Sequence, residues 1–407
     1  MNETAIRCDG PLHGVRILDL TTVIMGPAAT QMLGDLGADV IKVEQPAGDS
    51  MRNIGPFRHD GMGPMFLQAN RNKRSIALDL KLTQDRATLL ELASDVDVVV
   101  SNVRPQAMER LGLGYGALVA MNPSVIYCAA VGYGAGGPDA GKAAYDDLMQ
   151  AASGISGLFR AIDGTPKYAP VNICDRVVGL YLVIAIISAL HHRQATGEGQ
   201  EIEVPMFETM AQFVLADHMG GGAFVPPIGS MGYKRILSRT RGPHATSDGH
   251  LSLVVYTDKH WRAFSAMVGL PGLLDSDPRF CTQDSRTQHA EDIGRFLEAH
   301  LPRFSNAEWI LKLEAADIPV SPVNSIEDLF SNPHLKAVGL FSTLEHPTQG
   351  KLQVARFPVK FSRSPATIRR LAPNHGADTE AVIAESRARK KRASTRGPSD
   401  KRDKETP

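Results

Sequence analysis

Short apolar segments alternate with helical patterns along the first 130 residues, and this alternation constrains the fold more than any other feature. Residues 15–20 and 39–44 are typical of buried strands, and a helix with Pro27 in its first turn is predicted between them over 26–37. Strands separated by helices predict βαβ units and a parallel sheet, so we expect a Rossmann-like large α/β domain. Further strands are predicted over 74–80, 95–102 and 124–132, and further helices over 84–94 and 107–111.

The turn after the first predicted strand argues against a dinucleotide site. It reads "TTVIMGPAAT" and holds a single glycine, whereas a pyrophosphate needs the G-x-G-x-x-G spacing to approach the backbone. We expect Thr21 or Thr22 to cap the following helix, whose free N–H groups would favour an anion.

The length of 407 residues predicts two domains. A Gly- and Pro-rich stretch over 219–232 marks a boundary or an active-site loop, and residues 247–322 mix a strand pair with helices. We therefore predict the N-terminal part of the large domain over 1–220 and a small α+β domain over 221–328. The chain is then predicted to return to the large domain over 329–385 and to end in a disordered basic tail over 386–407.

Composition limits the classes of binding partner and indicates the cellular compartment. Lys plus Arg and Asp plus Glu number 44 each, and this balance argues against nucleic acid as a partner. The four cysteines form no C-x-x-C pair and the first ten residues carry no leader pattern, which favours a cytoplasmic protein without a metal. The most apolar run, residues 177–190, is shorter than the roughly 20 residues of a membrane span and is predicted as a buried helix.

Common catalytic motifs are missing, which leaves charged loops as candidate ligand sites. The chain has no G-x-S-x-G in register, no H-E-x-x-H and no P-loop. Residues 70–75 and 102–114 flank predicted strands, where an open α/β sheet places its ligand-binding loops. The cations that we expect to hold phosphates there are Lys73, Arg74, Arg104 and Arg110.

Asp163 and Gly164 pose a question that the local sequence leaves open. Asp-Gly is a favoured pair in tight hairpin turns, so Asp163 is either a turn former or a carboxylate that does chemistry. A side chain on a tight turn is exposed and fixed, so the two interpretations are compatible.

Eight segments, running in order from about residue 11 to residue 341, resemble the family III CoA-transferases of the CaiB/BaiF type. They are "PLHGVRILDLTTVIMGPAATQMLGDLGADVIKVEQPAGD", "NRNKRSIALDLK", "NVRPQAMERLGLGY", "NPSVIYCAAVGYGAGGP", "AAYDDLMQAASG", "IDGTPKYAP", "ATGEGQEIEVPMFE" and "IPVSPVNSIEDLFSNPHLKAVGLF". The resemblance implies a large domain built from both chain ends, a smaller domain between them and two subunits interlocked as a homodimer.

The resemblance also implies transfer of CoA from an acyl-CoA donor to a carboxylic acid. The family's nucleophile is an aspartate in a segment like "IDG", which assigns that role to Asp163. The expected intermediates are an aspartyl-acyl anhydride and an enzyme-bound thioester. A reference aspartate has a pKa of about 3.9, so it is ionised at neutral pH and attacks without a partner base.

Coenzyme A, as the acyl-CoA substrate, is the only cofactor that the resemblance implies. Anhydrides hydrolyse, so a glycine cover that excludes water and holds an oxyanion is predicted at Gly220, Gly221 and Gly222. The residues carried over for CoA binding are Val23, Ile24, Met25, Leu78, Lys81, Asn102, Arg104, Arg110 and Tyr133.

Two alternative functions stay open on the sequence. An acyl-CoA racemase of the same superfamily needs two groups to move the α-proton; Asp175 matches one, but Tyr145 stands where the histidine would be. A tyrosine with a pKa near 10 is a poor base at neutral pH, and Asp146 beside it is a further candidate acid. The other alternative is a non-catalytic CoA-binding protein, against which the aspartate at position 163 argues.

Overall fold

The chain is divided into two compact units. A computed structural model describes residues 10–395. Within that range the second unit comprises Gly154–Tyr168 and Gln212–Ala337, and all other residues belong to the first. The predicted boundaries at 221 and 328 both fall inside the second unit. Residues 154–168, which were predicted as part of the large domain, also belong to the second unit. Residues 1–9, where the sequence predicts no leader, and residues 396–407 of the predicted tail lie outside the described residues.

A six-stranded parallel sheet forms the centre of the first unit, as the alternation of strands and helices predicts. Its strands are β1 (Arg16–Leu20), β2 (Asp39–Glu44), β3 (Lys73–Ala77), β4 (Val98–Ser101), β5 (Ile126–Val131) and β6 (Glu201–Pro205). Their order is β3-β2-β1-β4-β5-β6, so the direction of winding reverses between β1 and β4. β1, β4 and β5 are buried along their whole length, as expected for a parallel sheet with both faces covered.

Helices follow most of these strands, and three of them lie within two residues of their predicted bounds. The predicted helices over 26–37, 84–94 and 107–111 correspond to α1, α3 and α4 in the following series. In chain order the helices are α1 (Met25–Asp35), α2 (Pro64–Ala69), α3 (Thr83–Ala93), α4 (Pro105–Arg110), α5 (Tyr115–Met121), α6 (Asp146–Ala152), α7 (Ile155–Asp163), α8 (Ile173–Thr196) and α9 (Met206–His218).

α8 is only partly the buried helix that the sequence predicts. It runs for 24 residues with a mean hydropathy of 2.1, which by length and composition alone makes it the one candidate membrane span among residues 10–395. A core helix of a soluble protein has the same properties. Val178 and Leu182 on one face are fully buried, whereas Leu180 is 51% exposed and Ile184 is 61% exposed on the other. The buried-helix prediction is therefore correct for one face only.

The second unit packs helices and a small antiparallel sheet around an aromatic core. Trp261, Phe264 and Trp309 are buried there, and the Phe264 and Trp309 rings stack with centroids 5.6 Å apart. The sheet has the order β7 (His244–Ala245), β8 (His250–Leu253) and β9 (Val320–Pro322). The remaining helices are α10 (Asp258–Met267), α11 (Leu273–Ser276), α12 (Gln283–Gln288), α13 (Ala290–His300), α14 (Asn306–Ala315), α15 (Ile326–Ser331) and α16 (Pro333–Ala337).

The C-terminal segment belongs to the first unit and is helical where a disordered tail was predicted to begin. It forms the antiparallel pair β10 (Phe341–His346) and β11 (Gly350–Ala355), followed by α17 (Thr379–Thr395). Val382 of α17 is fully buried, and Glu385 binds Arg74 of β3 at 2.7 Å. The prediction of disorder from residue 386 is therefore wrong as far as Thr395, because these contacts anchor a helix that its basic composition concealed.

Candidate active site

The carboxyl ends of β1, β4 and β5 line a cleft of about 680 Å³ in the first unit. The winding of the sheet reverses between β1 and β4, which is the point where open α/β sheets bind ligands. Of the residues predicted to contact CoA, those that line the cleft are Val23, Ile24, Met25, Asn102, Arg104 and Tyr133. The structure thus brings together residues from three separate loops.

The turn after β1 is held in a strained conformation at this cleft. The side-chain amide of Asn102 accepts from the Thr22 N–H at 3.0 Å and donates to the Thr22 carbonyl at 2.9 Å, which joins the turns after β1 and β4. Val23 has a φ of 73°, which is rare for a β-branched residue and typical of functional sites. Ile24 is the N-cap of α1, so neither threonine caps it and its first-turn N–H groups carry no side-chain cap.

Thr21 is unavailable for capping because its hydroxyl serves a buried carboxylate. It donates to Asp19 at 2.5 Å, and Asp19 also accepts from Thr30 at 2.7 Å and from Lys73 at 3.0 Å. Burial alone would raise the pKa of Asp19, but the charges of Lys73 and Lys42 and the two hydroxyls lower it to about 2. This buried network fixes the end of β1 and hence one wall of the cleft.

Arg104 is the only one of the four predicted phosphate-binding cations that lines the cleft. Lys73 and Arg74 open β3 and therefore lie at the opposite end of the sheet from the cleft. Lys73 is completely buried and Arg74 binds Asp39 at 2.5 Å, so the prediction that they hold phosphates is wrong. The remaining residues carried over for CoA, which do not line the cleft, are Leu78, Lys81 and Arg110.

Several polar residues of the cleft were not predicted. Glu203 accepts from the Ala135 N–H at 3.1 Å and so orders the loop after β5. Burial raises the pKa of Glu201, two residues earlier on β6. The alternation in "EIEVP" places both carboxylates on one face of a strand, a signal that the sequence carried. Gln106 and Lys142 also line the cleft.

Two carboxylates lie close together in the same cleft. Asp146 accepts from the backbone N–H of Asp175 at 2.9 Å and from the Gln150 amide at 2.6 Å. Burial, followed by the negative charge of Asp146, raises the pKa of Asp175 to about 7. Asp175 can therefore gain or lose a proton near neutral pH. Tyr145, its partner in the racemase alternative, lines the cleft too and is 65% exposed.

Replacing Asp175 with asparagine is expected to raise the free energy of unfolding by ~4 kcal/mol at pH 8, at about 1.4 kcal/mol for each pKa unit, and to leave it unchanged below pH ~4. The pKa of this carboxyl is raised from 3.8 to about 7 by folding, so the native protein loses stability as the pH rises through that window. Urea unfolding between pH 4 and 8 measures the difference. Asp147→Asn, at an exposed neighbour in α6, is the matched control. A gain that is the same at every pH would contradict the assignment.

Asp163 ends α7 in the second unit, at the Asp-Gly pair that the sequence marks as a turn signal. Gly164 adopts a φ of 88° as the left-handed C-cap, and its N–H donates to the Arg160 carbonyl at 2.9 Å. The pair therefore forms a helix C-cap and not a hairpin, because Gly is preferred both in tight turns and after helices, and the preceding residues from Ile155 onward are helical. Asp163 therefore stands at the end of a rigid element.

The Asp163 carboxylate is ionised and accessible. It forms an ion pair with Lys167 and accepts from the Thr165 N–H at 3.0 Å. The Lys167 hydrogen bond, then the Thr165 N–H, hold the pKa of Asp163 below its usual value, and the charges of Lys167 and Arg239 add to this. Arg239 is fixed nearby, because its Nε donates to the Ile162 carbonyl at 3.0 Å. The Asp163 side chain remains 40% exposed.

The glycines predicted as an oxyanion cover form a 3₁₀ turn in the second unit, Gly220–Ala223. The Gly221 N–H donates to the Ser230 carbonyl at 3.1 Å, and the Gly222 N–H donates to the Met219 carbonyl at 2.9 Å. These two predicted donors are therefore paired with backbone carbonyls of the same loop, and an oxyanion role requires that they exchange those partners.

A family model described as CoA-transferase family III matches residues 12–379. The chain is 34% identical over 384 residues to the succinyl-CoA:glutarate CoA-transferase of Mus musculus, covering 93% of this chain and 87% of that one. It is 34% identical over 385 residues to the succinate–glutarate CoA-transferase of Agrobacterium fabrum, with 92% and 95% covered. It is 33% identical over 340 residues to the acetyl-CoA:oxalate CoA-transferase of Acetobacter aceti, with 83% and 87% covered.

The fold is similar to that of solved structures. The crystal structure of a CaiB/BaiF family protein from Brucella suis matches with a TM-score of 0.78 and 31% identity over 93% of this chain and 100% of that one. Both the mixed α/β fold and the resemblance seen in the sequence are thereby confirmed. Because the family model spans most of the chain and relatives above 30% identity cover nearly all of it, the chain belongs to CoA-transferase family III.

Proposed function

We propose that this CoA-transferase moves CoA between an acyl-CoA and a free acid through covalent intermediates on Asp163. The observation that carries the proposal is an ionised, exposed carboxylate that a helix end and two cations, Lys167 and Arg239, hold in place. A carboxylate of this kind attacks a thioester without a general base. The proposal explains why the chain needs no Ser-His pair.

The reaction proceeds by four acyl-transfer steps. An Asp163 oxygen attacks the thioester carbonyl, the C–S bond breaks and the CoA thiolate leaves, which gives a mixed anhydride. The thiolate then attacks the Asp163 carbonyl, which releases the donor acid and forms an enzyme thioester. The acceptor carboxylate attacks this thioester and displaces the thiolate to form a second anhydride. Finally the thiolate attacks the acceptor's carbonyl and frees both the new acyl-CoA and Asp163.

The proposed acceptors are short dicarboxylates. The Mus musculus and Agrobacterium fabrum relatives are named for glutarate, and the Acetobacter aceti relative for oxalate. Lys167 and Arg239 beside Asp163 favour anionic substrates, because charge-assisted hydrogen bonds to carboxylates are strong.

An exchange assay tests the function. The enzyme is incubated with succinyl-CoA and ¹³C-labelled glutarate, oxalate or butyrate, and the acyl-CoA products are identified by mass spectrometry. Labelled glutaryl-CoA or oxalyl-CoA is the expected product, and butyryl-CoA is expected to form more slowly. No labelled thioester with any acid would contradict CoA transfer and leave the non-catalytic alternative.

A deuterium arm of the assay tests the racemase alternative, which the raised pKa of Asp175 favours. A 2-methylacyl-CoA is incubated with the enzyme in deuterated water. Deuterium uptake at the α-carbon without acid exchange would favour the racemase, because that reaction removes and returns the α-proton.

Arg104→Ala is expected to raise KM for the acyl-CoA about tenfold with little change in kcat, since it removes a cation that we place at the CoA phosphates. Initial rates at saturating acid measure the effect. Arg262→Ala is the matched control, because Arg262 is an exposed arginine that does not line the cleft. A loss confined to kcat would contradict the binding role.

The active form is proposed to be a homodimer in which a second copy covers the exposed face of α8, in the interlocked arrangement that the sequence resemblance implies. Leu180, Ile184 and Ile187 expose apolar surface along this face. Sedimentation should give twice the chain mass of 43.9 kDa, and Ile184→Asp should increase the monomer fraction, whereas Gln194→Asp at the helix end should not. A 43.9 kDa species at all concentrations would contradict the dimer.

The free cysteines Cys128, Cys174 and Cys281 are compatible with the proposed reducing, cytoplasmic setting.

A further inference from the structure

The second unit contains a cavity that the proposed chemistry does not use. Its volume is about 130 Å³, which is room for about four water molecules at ~30 Å³ each or for a small acid. Three arginines line it, Arg235, Arg241 and Arg286, and none of the lining residues in the described chain is acidic. Burial lowers the pKa of His244, which also lines it, so that this ring is neutral.

One donor in the wall has no partner. Arg286 is 6% exposed, and its guanidinium binds the Phe280 carbonyl and Asp258, both at 2.5 Å. Its Nε is buried and makes no hydrogen bond to any described residue. A buried unpaired donor costs about 1–3 kcal/mol, so the guanidinium of Arg286 is incompletely satisfied in this part of the protein.

Two further guanidinium groups are available at the same cavity. Arg235 is half-buried and Arg241 is exposed, and neither makes a side-chain hydrogen bond or ion pair within residues 10–395. Another part of the lining is apolar and belongs to the core of the unit, with Leu253, Trp261 and Leu297. The lining therefore combines cationic donors with a hydrocarbon surface.

We propose that this cavity binds a small carboxylate with a short apolar chain. The guanidinium groups bind the carboxylate, and the wall that includes Trp261 packs against the chain. The loop that supplies Arg235, Ser238 and Thr240 also carries Arg239, which binds the carbonyl before Asp163. An occupied cavity therefore stiffens the segment that holds the catalytic carboxylate. The inference concerns a site separate from Asp163 and does not depend on the anhydride mechanism.

Tryptophan fluorescence at constant ionic strength tests the site, since both tryptophans of the chain lie in this unit and one lines the cavity. Butyrate is the probe and inorganic phosphate is the comparison anion. A saturable change with butyrate is expected. Its Kd should rise at least about tenfold in the Arg235→Gln/Arg241→Gln double variant, and it should be unchanged in Arg262→Gln and in Asp163→Asn.

Three results would overturn the proposal. No saturable change would remove the site, and equal binding of phosphate would leave an adventitious anion only. Loss of the butyrate signal in Asp163→Asn would place the acid at the catalytic carboxylate instead. Because the readout is binding and not CoA transfer, each of these results is distinct from a failure of the proposed function. The melting temperatures of the variants establish that they are folded.

Discussion

Asp163→Ala is expected to lower kcat for CoA transfer by at least about 10³-fold, because the variant has no oxygen that can carry the acyl group. Asp163→Asn is expected to be similarly inactive, since a neutral amide is a poor nucleophile. The measurement is the rate of label exchange between an acyl-CoA and a free acid. Neither change should lower the melting temperature appreciably, because the side chain is exposed.

A matched variant separates the loss of the nucleophile from the loss of a surface charge. Asp275 is also an exposed aspartate of the second unit, and it is paired with Arg262 at 3.1 Å. Asp275→Asn should therefore transfer CoA at the rate of the unsubstituted enzyme. Persistent exchange in Asp163→Ala, or an equal loss in Asp275→Asn, would remove Asp163 from the mechanism.

Asp19→Ala is expected to lower the free energy of unfolding by ~3–5 kcal/mol, because it leaves Lys73 completely buried without its carboxylate. Burial already lowers the pKa of Lys73 to about 8, and the charge of Asp19 opposes that shift. Urea unfolding at pH 7 measures the change. Asp139→Ala, at an exposed aspartate paired with Lys142, should cost less than ~1 kcal/mol.

The pH dependence of stability provides a second check on the buried network. Folding lowers the pKa of Asp19 from 3.8 to about 2, so this carboxylate stabilises the native state above pH ~4 and loses its effect as the pH falls toward 2. Burial alone would raise the pKa of Glu44, but Arg52 and Lys42 lower it to about 2. Glu44 therefore changes the stability of the native state in the same direction as Asp19. In Asp19→Ala the free energy of unfolding should therefore fall less steeply as the pH is lowered from ~4 toward 2, the acid limb of the stability curve. An unchanged acid limb would show that the pair does not stabilise the fold.

Much of the sheet was predictable because its strands are continuous apolar runs between turns. The predicted strand over 39–44 coincides with β2 residue for residue, and the run over 15–20 differs from β1 by one residue. Parallel strands buried on both faces give this signal directly. The cleft was also predictable in part, because the loop that begins at residue 102 follows a predicted strand, and Asn102 and Arg104 of that loop line the cleft.

The remaining features depend on contacts that a linear pattern does not contain. Lys73 and Arg74 were predicted to hold phosphates, but the start of β3 places them in ion pairs away from the cleft. An Asp-Gly pair like the one at 163 is common both in hairpins and at helix ends. Only the helical residues before it determine which of the two structures forms. The exposed face of α8 likewise becomes visible only when the neighbouring elements are in place.

Chemical trapping of the acyl-enzyme tests the central claim most directly. The enzyme is mixed with an acyl-CoA in the presence of hydroxylamine or borohydride, digested, and the peptide that contains Asp163 is examined by mass spectrometry. The account predicts a hydroxamate or a reduced alcohol at Asp163 that forms only when acyl-CoA is present. An unmodified Asp163 in an enzyme that is transferring CoA, or a modification at another carboxylate, would contradict it.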